Sequence, residues 1–328
     1  MIKKQPFNYL VTILIPVYNA EKYLNDTLNS ACQQSYLNFE AIIIDDFSTD
    51  NSWDIACEFC KKDSRFKAYR NIRKGAAAAR NYGFSLSKGD FIQYLDADDI
   101  LHPKKLKTQI DYIFKNNLNS SILVGCQWQA FSLNIKNPQG AVYPNETHGC
   151  SHIHSNKDWL ILRADMVPIA WLFYRTQIEL VGGWNEELTR NDDGDLLYRV
   201  LSKIKEVHIM PQLLVYYRRE DVISLSKGLD RKSLNSWVSS AITYKKVLTE
   251  VAPLSGREAS DKFLFFLYYI CLFRDSELAT KCYTELYNQK NIYEVGDGFV
   301  FKLANLTNIH FAKIIRRALN RIRGLEYV

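Results

Sequence analysis

The sequence predicts an α/β fold, a mixed and mainly parallel sheet flanked by helices, with an appended C-terminal helical region. Three observations predict it. From residue 10 to about 125, short apolar runs alternate with stretches of helical period, the pattern of a parallel sheet covered by helices. Polar clusters follow several of the apolar runs, where loops leave such a sheet and ligands collect. Beyond residue 228 the chain is helical in period and nearly free of Gly and Pro until 296.

The expected strands are 10–15, 39–45, 66–70, 90–95 and 121–125. Between them, Leu24, Leu28 and Ala31 fall at helical spacing, as do Ile55 and Phe59, while Leu106, Ile110 and Ile113 follow Pro103 at a helix start. Together they make a βαβαβ half-sheet. Asn19 follows the first strand, Asp45 and Asp46 end the second, and Asp96 to Asp99 follow the strand at 90–95, so three strand ends offer polar groups to one crevice. Residues 126–225 read as more irregular, with a compact Gly182-Gly183-Trp184 turn and a helix beginning near Asp195.

With 328 residues, 47% of them hydrophobic, the chain is long enough for a large core. Its start, Met1-Ile2-Lys3-Lys4 and the apolar run 9–17, has the look of a signal peptide. Pro16, Asn19 and Glu21 interrupt the run and no small-residue cleavage pattern follows, so it reads as a buried first strand. The longest apolar run, 263–273, has eleven residues, short of the roughly 20 that cross a bilayer. Seven scattered cysteines in a chain of this size suit a reducing, cytoplasmic setting. Residues 301–328 carry six Lys/Arg against one Glu, so +5 of the net charge of +6 is in the tail. Charge so localised does not describe a nucleic-acid binder.

Three acid clusters carry the chemistry. Asp96-Ala97-Asp98-Asp99 places three carboxylates directly after an apolar strand, where mutual repulsion calls for a cation or strong donors. A hard divalent ion such as Mg²⁺ or Mn²⁺ is held by one or two carboxylates together with substrate phosphates; the alternative is an acid cluster favoured by the dipole of the following helix. Asp45-Asp46-Phe47-Ser48-Thr49-Asp50 offers a carboxylate to a base or ribose, or caps the next helix. Asn191-Asp192-Asp193-Gly194-Asp195 leads into a helix, where a carboxylate beside like charges serves as a general base or simply as a cap.

Five ordered segments resemble the inverting glycosyltransferases of family 2, which have the GT-A fold: 12–19, 44–50, 75–81 with Ala79-Arg80-Asn81, 95–99, and 182–193. The resemblance covers residues 9–220 and implies that Pro16, Tyr18 and Asn19 lie beside the donor nucleotide. It implies that Asp46, with Asp45 beside it, hydrogen-bonds the base. Asp96, Ala97 and Asp98, supported by Asp99, would form the metal and diphosphate motif, with Asp98 the direct ligand. Asp193 would be the base that activates the acceptor, with Asp192 as its rival. Arg80 either assists at the diphosphate or makes a buried helix-to-loop hydrogen bond. Two departures stand out: Phe47 where the family usually has Gly, and Asp192-Asp193 where it usually has Glu-Asp. On this resemblance 1–125 is the nucleotide-sugar half, 126–227 the acceptor-binding and catalytic half, and 228–328 a helical region. The expected partners are a UDP-sugar donor and a glycan or lipid-linked acceptor.

Trp159, Trp171 and Trp184 are each either core residues or platforms for a sugar ring; Trp184, nine residues before Asp193 on a Gly-Gly turn, is the one expected to stack on an acceptor sugar. Cys57 and Cys60 have redox spacing but fall inside a helical stretch, and His148, Cys150, His152 and His154 alternate without matching a known zinc spacing. Residues 309–325 form a basic amphipathic helix, which either rests on an anionic membrane as a peripheral contact or packs on the body. Two rival functions remain: a non-catalytic glycan- or nucleotide-sugar-binding module, and a nucleotidyltransferase. The intact acid clusters oppose the first. The second calls for a Gly-rich triphosphate loop, and residues 1–74 contain no Gly.

Overall fold

The computed structural model describes residues 8–131, 142–143, 153–155, 167–219, 230–253, 255–272 and 274–286. The chain divides into two compact units, 1–228 and 229–328. In the first, four parallel strands form one side of the sheet: β1 (Val11–Val17), β2 (Phe39–Asp45), β3 (Phe66–Arg70) and β4 (Phe91–Tyr94). Helices α1 (Leu24–Cys32), α2 (Ser52–Lys62) and α3 (Ala76–Leu86) connect them. All seven residues of β2 are buried, as expected of a parallel strand covered on both faces.

The sheet continues through β5 (Ile100–Leu101), β6 (Ile122–Phe131), β9 (Trp171–Tyr174) and β10 (Glu206–Arg218), in the order β3-β2-β1-β4-β9-β6-β10-β5. Two short strands, β7 (Val142–Tyr143) and β8 (Ile153–Ser155), pair with β6 and β10. β9 runs antiparallel to both β4 and β6, whereas β6 and β10 are parallel. The region 126–225 is thus more regular than expected: β6 continues to Phe131, and β10 runs for 13 residues. Helix α4 (Lys105–Lys115) follows Pro103 as predicted; α5 (Arg175–Val181) and α6 (Asp192–Leu201) complete the unit.

A buried polar network steadies β4. The Lys105 ammonium donates to the side-chain carbonyls of Gln93 and Gln109. Gln93 in turn donates to the Ile169 carbonyl and Gln109 to those of Val124 and Ala170. Among the described residues no carboxylate is bonded to the amine, and burial lowers the pKa of Lys105 to about 8. The network joins β4, α4, β6 and the turn before β9, so the loop that leaves β4 starts from a fixed point.

The second unit contains α7 (Arg231–Val251), α8 (Ser255–Leu272) and α9 (Ser276–Thr284). Asp230 caps α7 by accepting from Ser233 N at 2.8 Å, and Asp275 caps α9 by accepting from Leu278 N at 3.0 Å. Edge-to-face pairs Trp237–Phe266 and Tyr244–Phe263 join α7 to α8. Among the described residues no helix is long and apolar enough to cross a membrane. Cys57 and Cys60 are free thiols on α2. His148, Cys150, His152, the His154 side chain and the tail 309–325 lie outside the described residues.

Gly89, just before β4, tests how tightly the sheet is built. A Cβ there would stand 2.4 Å from Thr12 N and 2.5 Å from Thr12 Oγ1 in the central strand β1. Gly89→Ala is expected to destabilise by about 2 kcal/mol, measured as a lower urea midpoint with an unchanged far-ultraviolet spectrum.

Candidate active site

The carboxyl ends of β1, β2, β3 and β4 lie side by side, and their loops are laced together. Asn19, in left-handed conformation with φ 46°, accepts from Thr49 N at 2.8 Å through Oδ1, and its own N–H donates to Ser48 Oγ at 3.0 Å. Its side chain thus staples the two loops. Asp45 is fully buried and accepts from Arg70 Nη1 at 2.6 Å and Ser48 N at 3.2 Å, while its Oδ1 has no partner. Asp46 receives Gly75 N on both oxygens, at 2.9 and 3.0 Å, and Asn71 Nδ2 at 2.8 Å. Its backbone N–H donates to Val17 O at 2.7 Å. Pro16 pairs with Ile44 inside the sheet, and Tyr18 stands half-exposed with Lys74 Nζ 5.5 Å from its ring centre.

Arg80 joins the two sides of the site. The start of α3 is Ala76-Ala77-Ala78-Ala79, and the buried alanines 77–79 let the helix lie close to the sheet. Its next residue, Arg80, is 8% exposed and donates to Asp96 Oδ1 at 2.7 Å and Asp192 Oδ2 at 3.3 Å. Burial by itself would lower the pKa of the guanidinium, but Asp96 and Asp192 hold it above its ordinary value. The guanidinium lies 4.3 Å from the centre of the Trp184 ring, within cation–π range. Trp184 is only 3% exposed and also packs edge-on against Tyr94. So buried a ring supports Arg80, and the stacking on a sugar expected of it has no open face to use.

The Trp184 turn is itself fixed by α3. Asn81 donates through Nδ2 to Trp184 O at 2.9 Å and accepts from Trp184 N at 2.8 Å. Gly183 has φ 77°, and a Cβ on it would stand 2.6 Å from Asn81 Oδ1, so only glycine fits. Arg199 of α6 donates to the carbonyls of Val181 and Gly183 at 2.8 Å each and pairs with buried Asp195 at 2.6 Å. α6 begins at Asp192, three residues before the expected start, so Asp192 and Asp193 occupy its first turn. Acids there are favoured by the helix dipole.

Asp193 is partly exposed and accepts from Gly194 N at 2.8 Å. Burial, then the charge of Asp192, raises its pKa to about 6. Asp192 is also raised, chiefly by burial, with Arg80 acting in the opposite direction.

Of the three acids after β4, Asp96 and Asp98 are partly exposed whereas Asp99 is 1% exposed. Asp99 Oδ1 accepts from Arg218 N at 2.8 Å and its Oδ2 has no partner. Burial and the neighbouring Asp98 and Asp96 push its carboxyl well above the usual range. Asp99, expected to support the motif, is thus buried next to the two partly exposed acids. Ala97 is buried, and its carbonyl accepts from Thr27 Oγ1 at 2.9 Å, which fixes the spacer between the two open acids. Arg218, at the end of β10, also donates through Nε to Asp98 O at 2.8 Å and lies between the rings of Tyr23 and Phe131 at 4.4 Å from each. Sequence reading missed Arg218; its one signal was a Tyr-Tyr-Arg-Arg run, 216–219, ending an apolar stretch. Among the described residues no three His, Cys, Asp or Glu side chains converge to hold a metal by themselves.

Residues 12–161 match the sequence model of the family described as "Glycosyl transferase family 2". That segment, under half of the chain, is similar to this family. Over 113 residues it is 42% identical to the UDP-Glc:alpha-D-GlcNAc-diphosphoundecaprenol beta-1,3-glucosyltransferase WfgD of Escherichia coli, covering 34% of this chain and 44% of that one. Over 110 residues it is 44% identical to an uncharacterized glycosyltransferase of Haemophilus influenzae, covering 33% and 44%. The chain therefore spans under half the length of these curated relatives. The crystal structure of S. aureus TarS 1-349 in complex with UDP-GlcNAc aligns with a TM-score of 0.62 at 16% identity, covering 98% of this chain and 93% of that one. The mannosyltransferase PcManGT from Pyrobaculum calidifontis, in complex with GDP-Man and Mn²⁺, aligns at 0.53 and 13%, covering 97% and 88%. These likenesses are of fold: the chain has the expected GT-A architecture, a mainly parallel sheet flanked by helices, with C-terminal helices.

Arg80→Met would leave the carboxylates of Asp96 and Asp192 without their shared cation. Stability is expected to fall by about 3 kcal/mol at pH 7.5, and by less at pH 5, where Asp192, its carboxyl already raised by burial, takes up a proton more readily. Urea unfolding at both pH values measures the difference.

Proposed function

We propose that this chain is an inverting glycosyltransferase that moves a sugar from a nucleoside-diphosphate sugar, with a UDP-sugar favoured, to a hydroxyl of a glycan or lipid-linked acceptor in cell-surface polysaccharide synthesis. The observation that carries this reading is the double attachment of Arg80 to Asp96 and Asp192. It supports a reading in which donor-side acids and a base candidate share one crevice, outside the carboxyl ends of parallel strands. The name of the E. coli relative, with its UDP-Glc donor and diphosphoundecaprenol-linked acceptor, supports the substrate classes.

In this reading Asp193 takes the proton of the acceptor hydroxyl as the oxygen attacks the anomeric carbon. Its raised pKa and partial exposure suit the task. Asp192, tied to Arg80, holds the first turn of α6 in place. Asp46 keeps the loop before α3 closed on the base side, with Pro16, Tyr18 and Asp45 around it. Asp98 and Asp96 are partly exposed and close in sequence to Asp99, whose buried Oδ2 has no partner, a donor set that fits Mg²⁺ or Mn²⁺ shared with a diphosphate. Such an ion, when bound, offsets the charge that collects on the departing nucleoside diphosphate. A cytoplasmic enzyme acting on a lipid-linked acceptor must reach the inner face of the membrane, and the basic amphipathic stretch 309–325 suits that contact.

Asp193→Asn is expected to bind UDP as the wild type does, by calorimetric titration, and to lose turnover by about 10³-fold. Retained turnover would place the base elsewhere. Because the ionised form of Asp193 is the active one, turnover should rise through an apparent pKa near 6 and level off above it. A product assay from pH 5 to 8 with a UDP-sugar and a lipid-linked acceptor would show the limb.

A further inference from the structure

Five large apolar side chains stand exposed among the described residues: Tyr18, Leu37, Phe47, Ile72 and Leu180. Three of them, Tyr18, Phe47 and Ile72, follow within two residues the carboxyl ends of the adjacent strands β1, β2 and β3. The sheet places Val17 beside Asp45 and Asp45 beside Arg70, so these apolar groups leave neighbouring strand ends. Phe47 differs from the other two in its backbone. It adopts φ 62°, a left-handed conformation in which a bulky residue is strained.

The strain is imposed from both sides. Asp46 is tied to Val17 O and to Gly75 N, and Ser48 is tied by its N–H to Asp45 and by its hydroxyl to Asn19 N. Phe47 is thus held between the β1 loop and the loop that opens α3, with its side chain 48% exposed to water. The conformation costs stability and burial of the ring returns little of it. A conformation of this kind persists where the surroundings over-determine it, and such residues gather at ligand clamps.

We infer that Phe47 is held in this conformation to present its ring to the planar base of the donor nucleotide, making it a base-contacting residue of the donor site. The inference rests on the proposed nucleotide-sugar reading and extends it to a residue that the carboxylate chemistry does not use. A ring at that place offers a π-face, and base–aromatic contacts are favourable and tolerant of base identity. Glycine at position 47 would relieve the backbone and remove the contact, so stability and base binding should move in opposite directions.

The test is Phe47→Gly, compared with wild type by thermal unfolding and by titration with UDP and with inorganic pyrophosphate, each in the presence of Mn²⁺. The expected result is a Tm higher by about 2 °C, UDP binding weaker by roughly tenfold and unchanged pyrophosphate binding. Phe47→Tyr, which keeps a ring, should recover most of the affinity lost in the glycine variant. UDP affinity unchanged in Phe47→Gly would overturn the inference, as would an equal loss for pyrophosphate, which would mean that the loop itself had shifted. Failure of the wild type to bind any nucleoside diphosphate would instead defeat the proposed function, and this inference with it.

Discussion

The site depends on one buried cation. Arg80 sits where three carboxylates, Asp96, Asp192 and Asp193, would otherwise repel one another, and its charge opposes the upward push of burial on both acids of α6. Its placement needs a helix that lies close to the sheet, hence the run of alanines before it, and a flat support, hence Trp184. Removing a partner from a buried charge costs more than the pair contributes when intact. This asymmetry explains why so much of the surrounding structure, including Asn81, Gly183 and Arg199, holds the turn that carries the tryptophan.

Much of this was legible in the sequence, and the limits are physical. The alternation of apolar runs and helical periods located β1 to β4, because each buried parallel strand needs a continuous apolar stretch. The acid clusters were visible because like charges seldom crowd without cause. What could not be read was which acid faces which cation. Asp98 and Asp99 are held by Arg218 from about 120 positions away, and no local spacing records such a contact. Asn19 was expected at the nucleotide, and its side chain is occupied in joining two loops. The start of α6 was placed late because Asn191, three acids and Gly194 read as a loop, although acids belong naturally in a first turn.

Two buried polar systems keep the acids after β4 in place from opposite ends. Inside the sheet, Lys105 with Gln93 and Gln109 ties the body of β4 to its neighbours. Beyond its end, Arg218 holds the backbone of Asp98 and the side chain of Asp99. A satisfied buried network is rigid because every alternative arrangement leaves a polar group unpaired. The segment 96–99 is therefore defined before any ligand arrives, which reduces the ordering that binding would otherwise require.

The paired amide between Asn81 and Trp184 joins residues 103 positions apart in the chain. Bringing such distant segments together carries a loop-closure cost before any contact rewards it, and structures rich in such contacts assemble slowly. As the chain leaves the ribosome, β1 to β4 are complete well before Asp192 and Asp193 exist. A nascent chain can thus fold its first four strands with Arg80 still missing half its partners. The site is finished only when the later segment returns to α3, so its completion reports on the folding of the unit as a whole.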